Sequence, residues 1–156
     1  MRRRLRAEIK QTKPFESLTN EVYLEILRTS QIATRWVVEA LKPSGLTPAQ
    51  FNVLRILRGA RPEALSSGRI AERMVNHDPD LTRLLDRLEA SDLVEKARDE
   101  KDRRVVNARI TVAGLRVVEI ASRAVSQRVE DSLGHLGSRR LNALADLLEL
   151  VRGNAT

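Results

Sequence analysis

Between Leu65 and Gly114 the chain reads LSSGRIAERMVNHDPDLTRLLDRLEASDLVEKARDEKDRRVVNARITVAG, and the order of its local signals leaves few folds open. Ser66 is placed to cap a short helix, with Leu65 and Ile70 as its hydrophobic staple, and that helix is expected to run through Met74. Val75-Asn76-His77 reads as a turn, and Asp78-Pro79 as a second cap followed by a first-position proline. The next helix sets Leu81, Leu84, Leu85 and Leu88 on one face at spacings i, i+3, i+4 and i+7. After Ser91-Asp92 the period changes. Leu93 and Val94, a charged tip from Asp99 to Arg104, and then Val105, Val106, Ala108 and Ile110 predict two short strands. Helix, turn, helix and hairpin in this order describe a winged helix-turn-helix.

Longer helices flank that unit. Leu18, Val22, Ile26, Ala33, Val37 and Ala40 recur at helical spacing from Ser17 to Leu41, and Pro43-Ser44-Gly45 stops the run. Thr47, Pro48 and Gln50 spell a capping box, with Leu46 and Phe51 as staple, and Val53, Leu54 and Leu57 form the buried side until Gly59-Ala60-Arg61-Pro62. Beyond Thr111 and Gly114, a long helix carries an apolar stripe of Val117, Ile120, Ala121, Ala124 and Val125. A last helix from about Ser138 carries Leu141, Leu144, Leu147, Leu148 and Val151. The expected class is mainly α with a small β-hairpin wing. Its parts are a basic N-terminal arm (1–14), terminal dimerisation helices (15–45 and 112–153) and a winged helix-turn-helix lobe (46–111). The terminal helices hold more apolar surface than one lobe of about 70 residues can cover, so a second copy is the simplest partner.

Charge points to the other partner. The chain has 156 residues, 42% of them hydrophobic, and a formal net charge of +7, which favours a polyanion because Lys and Arg displace condensed counterions from phosphates. A recognition helix in a major groove turns its first residues toward base edges. Here those positions are Pro79, Asp80, Thr82, Arg83 and Arg87, and Arg83 is the residue suited to bidentate pairing with guanine O6 and N7. The bland alternative is a solvated face of a core helix. The wing tip offers Lys101, Arg103 and Arg104, while Asp102 is better placed to orient arginine side chains than to meet DNA.

Other chemistries find little support. The chain has no Cys, its His77 and His135 lie in no ligand spacing, and no Ser/His/acid set or phosphate-binding glycine loop is present, so neither an enzyme nor a metal or other cofactor is expected. No apolar run reaches the ~20 residues of a membrane span, and the basic opening lacks the apolar core of a secretory signal, which predicts a cytoplasmic protein.

The residues Leu46-Thr47-Pro48-Ala49-Gln50-Phe51, the run from Asp80 to Glu89, Asp102-Arg103-Arg104 and Leu115 together resemble the MarR family of bacterial transcription regulators, over roughly residues 20–150. The resemblance implies a homodimer with interlocked terminal helices, each subunit presenting one winged helix-turn-helix to half of a palindromic operator. It implies that Asp102 and Arg104 form the family's wing motif, with Arg104 entering the minor groove. It also implies a repressor released by a small, often phenolic or anionic, effector. Tyr23, Trp36 and Phe51 are the aromatic candidates for a ligand pocket, with core packing as the alternative. Two departures stand out: Asp92 occupies a position commonly held by glycine, which Asp tolerates better than most residues, and the cysteine of the peroxide-sensing branch is absent. Two rival functions remain open, a nonspecific architectural DNA binder and a winged-helix module for protein interaction.

Overall fold

The computed structural model describes residues 5–75, 80–99 and 102–153. Its helices are α1 (Leu5–Glu8), α2 (Leu18–Leu41), α3 (Pro48–Ala60), α4 (Ser67–Ala71), α5 (Leu81–Ala90), α6 (Val112–Leu133) and α7 (Gly137–Gly153). The strands are β1 (Leu65–Ser66), β2 (Val94–Arg98) and β3 (Val106–Ile110).

Short-range polar signals set the helix starts. The side chains of Ser17, Thr47, Ser66 and Thr111 each accept the backbone N–H three residues on, from Asn20, Gln50, Arg69 and Gly114. At Thr47 the reciprocal bond from its own N–H to the Gln50 side chain completes the capping box at 2.9 Å. Leu46 and Phe51 are both buried beneath it, as a staple requires. The stop after α2 is a 3-10 turn over Lys42–Ser44 that ends on Gly45, whose φ of 68° is the left-handed region glycine enters freely.

One core joins α3, α4, α5, the sheet and α6, including Leu54 and Leu57 of α3, Leu85 and Leu88 of α5 and Val94 of β2. Arg58 of α3 donates to Ser122 Oγ of α6 at 3.2 Å, and Arg128 of α6 pairs with Glu39 of α2 at 3.1 Å, so polar links follow the packing of α6 on both neighbours. The sheet is antiparallel in order β1-β3-β2, with Leu65 opposite Ala108 and Val94 opposite Ile110.

Several expectations change. Leu65-Ser66 is a third strand as well as the entry to α4, because two residues are too few to show a period of two. The α4 helix ends at Ala71 rather than Met74. Gly59 and Ala60 lie inside α3 instead of breaking it. The apolar stripe expected on α6 is split: the inward line is Gly114, Val118, Ala121 and Val125, while Ile120 is 61% exposed. The expected cap at Asp78-Pro79 lies outside the described residues, and α5 has Asp80 as N-cap without a side-chain capping bond. Residues 5–13, expected as part of a basic N-terminal arm, fold back on α2. Leu5 is buried, the Arg6 guanidinium donates to the carbonyls of Gln11 and Thr12, and Glu8 lies 3.7 Å from Arg28.

Among the described residues, apolar side chains are uncovered along two helices of the single chain in particular. In the first half of α2, Leu18, Val22, Tyr23 and Leu27 are exposed, and α7 buries none of its residues although Leu144, Leu147, Leu148, Leu150 and Val151 lie along it.

Gly59 gives a local test. It sits in the last turn of α3, and an added Cβ meets nothing within 4 Å. Gly59→Ala is expected to raise unfolding stability by about 0.5–1 kcal/mol, by lowering the entropy of the unfolded chain. Urea denaturation checks it, and a lower midpoint would contradict the helical assignment of the last turn.

Candidate nucleic-acid interface

Burial of Leu81, Leu84, Leu85 and Leu88 fixes which side of α5 faces outward. Thr82, Arg83 and Arg87 are exposed on the other side, and Arg83 and Arg87 stand one turn apart. Arg83 has three quarters of its side chain in solvent and lies 3.5 Å from Asp80, an i,i+3 ion pair across the helix start. Pro79 and Lys101, expected as contacts, lie outside the described residues.

The wing tip is built by two carboxylates acting on the main chain. Asp99 N–H donates to the Val105 carbonyl at 2.9 Å, and Val105 N–H donates to the Asp102 carbonyl at 2.9 Å. Asp102 N–H donates to Asp99 Oδ1 at 3.1 Å, and Asp102 Oδ1 in turn accepts the Arg104 N–H at 3.0 Å. Asn107 Nδ2 donates to Asp99 Oδ2 at 2.9 Å and ties the tip to β3. The sequence expectation that Asp102 orients arginine side chains therefore takes a different form. Its carboxylate holds the Arg104 amide and thereby sets the backbone from which the exposed Arg103 and Arg104 project.

A third feature was not legible in the sequence. Lys96 of β2 reaches back to α5, where its ammonium lies 2.5 Å from Asp86 Oδ1 and 2.8 Å from Glu89 Oε2, and its side chain is only 19% exposed. The hydrogen bond to Asp86 above all, then that to Glu89, raises its pKa above the ordinary 10.5, against the opposing effect of burial. A raised lysine pKa contributes stability that is full below 10.5 and is lost as pH rises through the folded value. The stability difference between the wild type and Lys96→Met should thus be flat from pH 6 to 9 and shrink in more alkaline solution. Parallel denaturation series across that range read the effect, and a gap that grows with pH would contradict it.

The turn from α5 into the wing is equally specific. Asp92 has a φ of 57°, the left-handed conformation that Asp tolerates better than most residues. Its carbonyl accepts Thr111 Oγ1 at 2.7 Å, while the Leu93 carbonyl accepts the Thr111 N–H at 3.1 Å. The start of α6 is thereby fastened to the end of the recognition unit.

The aromatic trio does not converge. Tyr23 and Trp36 are thirteen residues apart on α2, roughly 20 Å along a helix. Tyr23 is exposed, and Phe51 is buried in the core with the Arg55 guanidinium 5.6 Å from its ring centroid.

Residues 44–105 match the sequence profile of the MarR family. A MarR transcription factor from Planctomyces limnophilus, known from its crystal structure, is 39% identical, with a TM-score of 0.68 over 88% of this chain and 99% of that one. The chain belongs to the MarR family. Among its relatives, the HTH-type transcriptional repressor MdtR of Bacillus subtilis (strain 168) is 31% identical over 102 residues, or 65% of the MarR-family chain described here. That match spans 64% of the repressor's own length. BpsR of Bordetella bronchiseptica, whose structure concerns regulation of its DNA binding by 6-hydroxynicotinic acid, is 26% identical. Its TM-score is 0.75, covering 85% of the MarR-family chain and 98% of BpsR. The fold is thus that of MarR-family transcription regulators, mainly helical with a small antiparallel wing. Among the described residues no helix is long and apolar enough to cross a membrane.

Proposed function

We propose that this MarR-family chain is a homodimeric, sequence-specific DNA-binding regulator that represses transcription from a palindromic operator and is released by a small phenolic or anionic ligand. The observation that carries the DNA reading is the outer face of α5, where Thr82, Arg83 and Arg87 stand exposed opposite a fully buried leucine face. Arg83 reads a guanine edge, and Arg87 together with the wing's Arg103 and Arg104 meets phosphates or the narrow minor groove. Asp80 holds Arg83 at the helix start, and Asp102 holds the Arg104 backbone. Pro79 and Lys101, which lie outside the described residues, are assigned to the same contacts from the sequence alone. In this reading, residues 15–45 and 112–153 form the dimer and residues 46–111 the DNA-binding lobe, with recognition helices about 34–36 Å apart to meet successive major grooves.

The support for dimerisation is α7. Most helical stability in proteins comes from packing an apolar face, and this helix of 17 residues has none of them buried within the chain while exposing a line of leucines. A second copy supplies the missing cover by a two-fold interface. Repression and ligand release are proposed from MdtR and BpsR, the first a repressor and the second a protein whose DNA binding a pyridine carboxylic acid regulates.

Selection of genomic fragments on the purified protein at physiological salt tests the reading. Enrichment of an inverted repeat supports it, retention without a shared sequence points to an architectural binder, and no retention in ligand-free protein points to a protein partner. On the operator so found, Arg83→Ala should cost about 1–3 kcal/mol and relax preference at one base pair. Arg104→Ala should weaken binding across sequences and reduce the salt slope by roughly one unit. If neither variant changes operator affinity, these two surfaces are misassigned. Titration of a phenolic and aromatic carboxylic acid panel against the bound operator tests release.

A further inference from the structure

We infer that Lys96 is a positioning residue that locks the recognition helix to the wing, so that α5 and the wing tip engage one half-site as a single rigid body. The inference rests on the DNA-binding reading and adds the element that aligns its two surfaces.

The turn from Ser91 to Leu93 makes the main-chain connection between α5 and β2. There, Asp92 N–H donates to the Glu89 carbonyl at 2.9 Å and Leu93 N–H to the Leu88 carbonyl at 3.0 Å. The leucine face of α5 and Val94 share the core, and a polar link outside that core resists rocking of the helix over it. Lys96 lies two residues into β2 and bridges back to Asp86 and Glu89, which stand i,i+3 on α5. These two bonds, made away from the turn, fix the angle as a brace fixes a hinge. Opposite, β2 pairs with β3 residue by residue, with Lys96 facing Ala108, and β3 leads back to the tip that carries Arg103 and Arg104. The orientation of α5 is thus transmitted to the tip through a paired sheet.

The acids also need the lysine for a second reason. Asp86 borders the arginine face of α5 and Glu89 lies one turn on from it, and a phosphate backbone repels uncompensated carboxylates. Charge compensation and alignment are separable, because a neutral cluster keeps the first without the second.

The test compares the wild type with Lys96→Arg, Lys96→Met and the triple variant Asp86→Asn, Glu89→Gln, Lys96→Met. Each is titrated with the selected operator and with random duplex DNA of equal length. The two acids are about half exposed, so the neutral triple variant leaves no buried charge behind and is expected to fold. Alignment predicts that the ratio of random to operator Kd falls at least tenfold in both Met variants and stays within about threefold of wild type in Lys96→Arg. A triple variant with the wild-type ratio would overturn the inference, because compensation alone would then account for the lysine. A parallel measurement without DNA keeps the two readings distinguishable. Residual dipolar couplings of α5 and wing amides should fit one common orientation in wild type and Lys96→Arg, and be averaged in Lys96→Met. If wild type shows no operator preference but the couplings behave as stated, the regulator reading fails and the brace stands. Couplings that are unchanged in Lys96→Met overturn the brace itself.

Discussion

Gly114→Ala is expected to destabilise the fold by about 3 kcal/mol, the upper range for forcing atoms into a packed site. A Cβ at this position would lie 2.1 Å from the Leu93 carbonyl oxygen and 2.8 Å from Ile110 Cγ1. The first of these is backbone and cannot swing aside. That oxygen already accepts the Thr111 N–H, and Gly114 N–H donates to Thr111 Oγ1 at 2.9 Å, so a shift that relieves the clash breaks the cap of α6 as well. The added methyl thus strains the one place where the recognition unit, the wing and α6 converge. Gly59→Ala serves as the matched control, since its Cβ is unopposed. Chemical denaturation of both variants reads the contrast. A Gly114→Ala midpoint equal to that of wild type would mean that α6 approaches Leu93 less closely than described.

The second large effect concerns α7. Leu144 and Leu147 are 41% and 61% exposed in the single chain, so Leu144→Asp with Leu147→Asp removes little from the fold of the protomer. In a two-fold dimer each position counts twice, and four leucines at about 1.5 kcal/mol or more apiece amount to roughly 6 kcal/mol of lost association. That is about four orders of magnitude in the dimer Kd. Sedimentation should then find monomers at micromolar concentration with circular dichroism retained outside α7, and operator affinity should collapse because half-sites are no longer linked. A double variant that still sediments as a dimer would exclude this face as the interface.

Local signals account for what the sequence determined. The caps at Ser17, Thr47, Ser66 and Thr111 each act over three residues, the leucine face of α5 over two turns, and the left-handed Asp92 at one residue. Neighbours along the chain suffice to decide such features, so the capped starts of α3 and α4, the leucine and arginine faces of α5 and the wing were readable, while the cap expected at Asp78 lies outside the described residues. Tertiary structure decided the rest, because it depends on which surfaces meet. Leu65-Ser66 becomes a strand only because β3 lies beside it, and Leu5 is buried only because α2 is there to receive it. The α6 stripe divides because α2 and α3 cover one side of that helix and leave Ile120 open. Lys96 finds Asp86 and Glu89 only after the chain reverses at Asp92, which no periodicity records. Sequence fixes a preference at each residue, whereas contact across the chain requires the preferences of distant segments to be satisfied together.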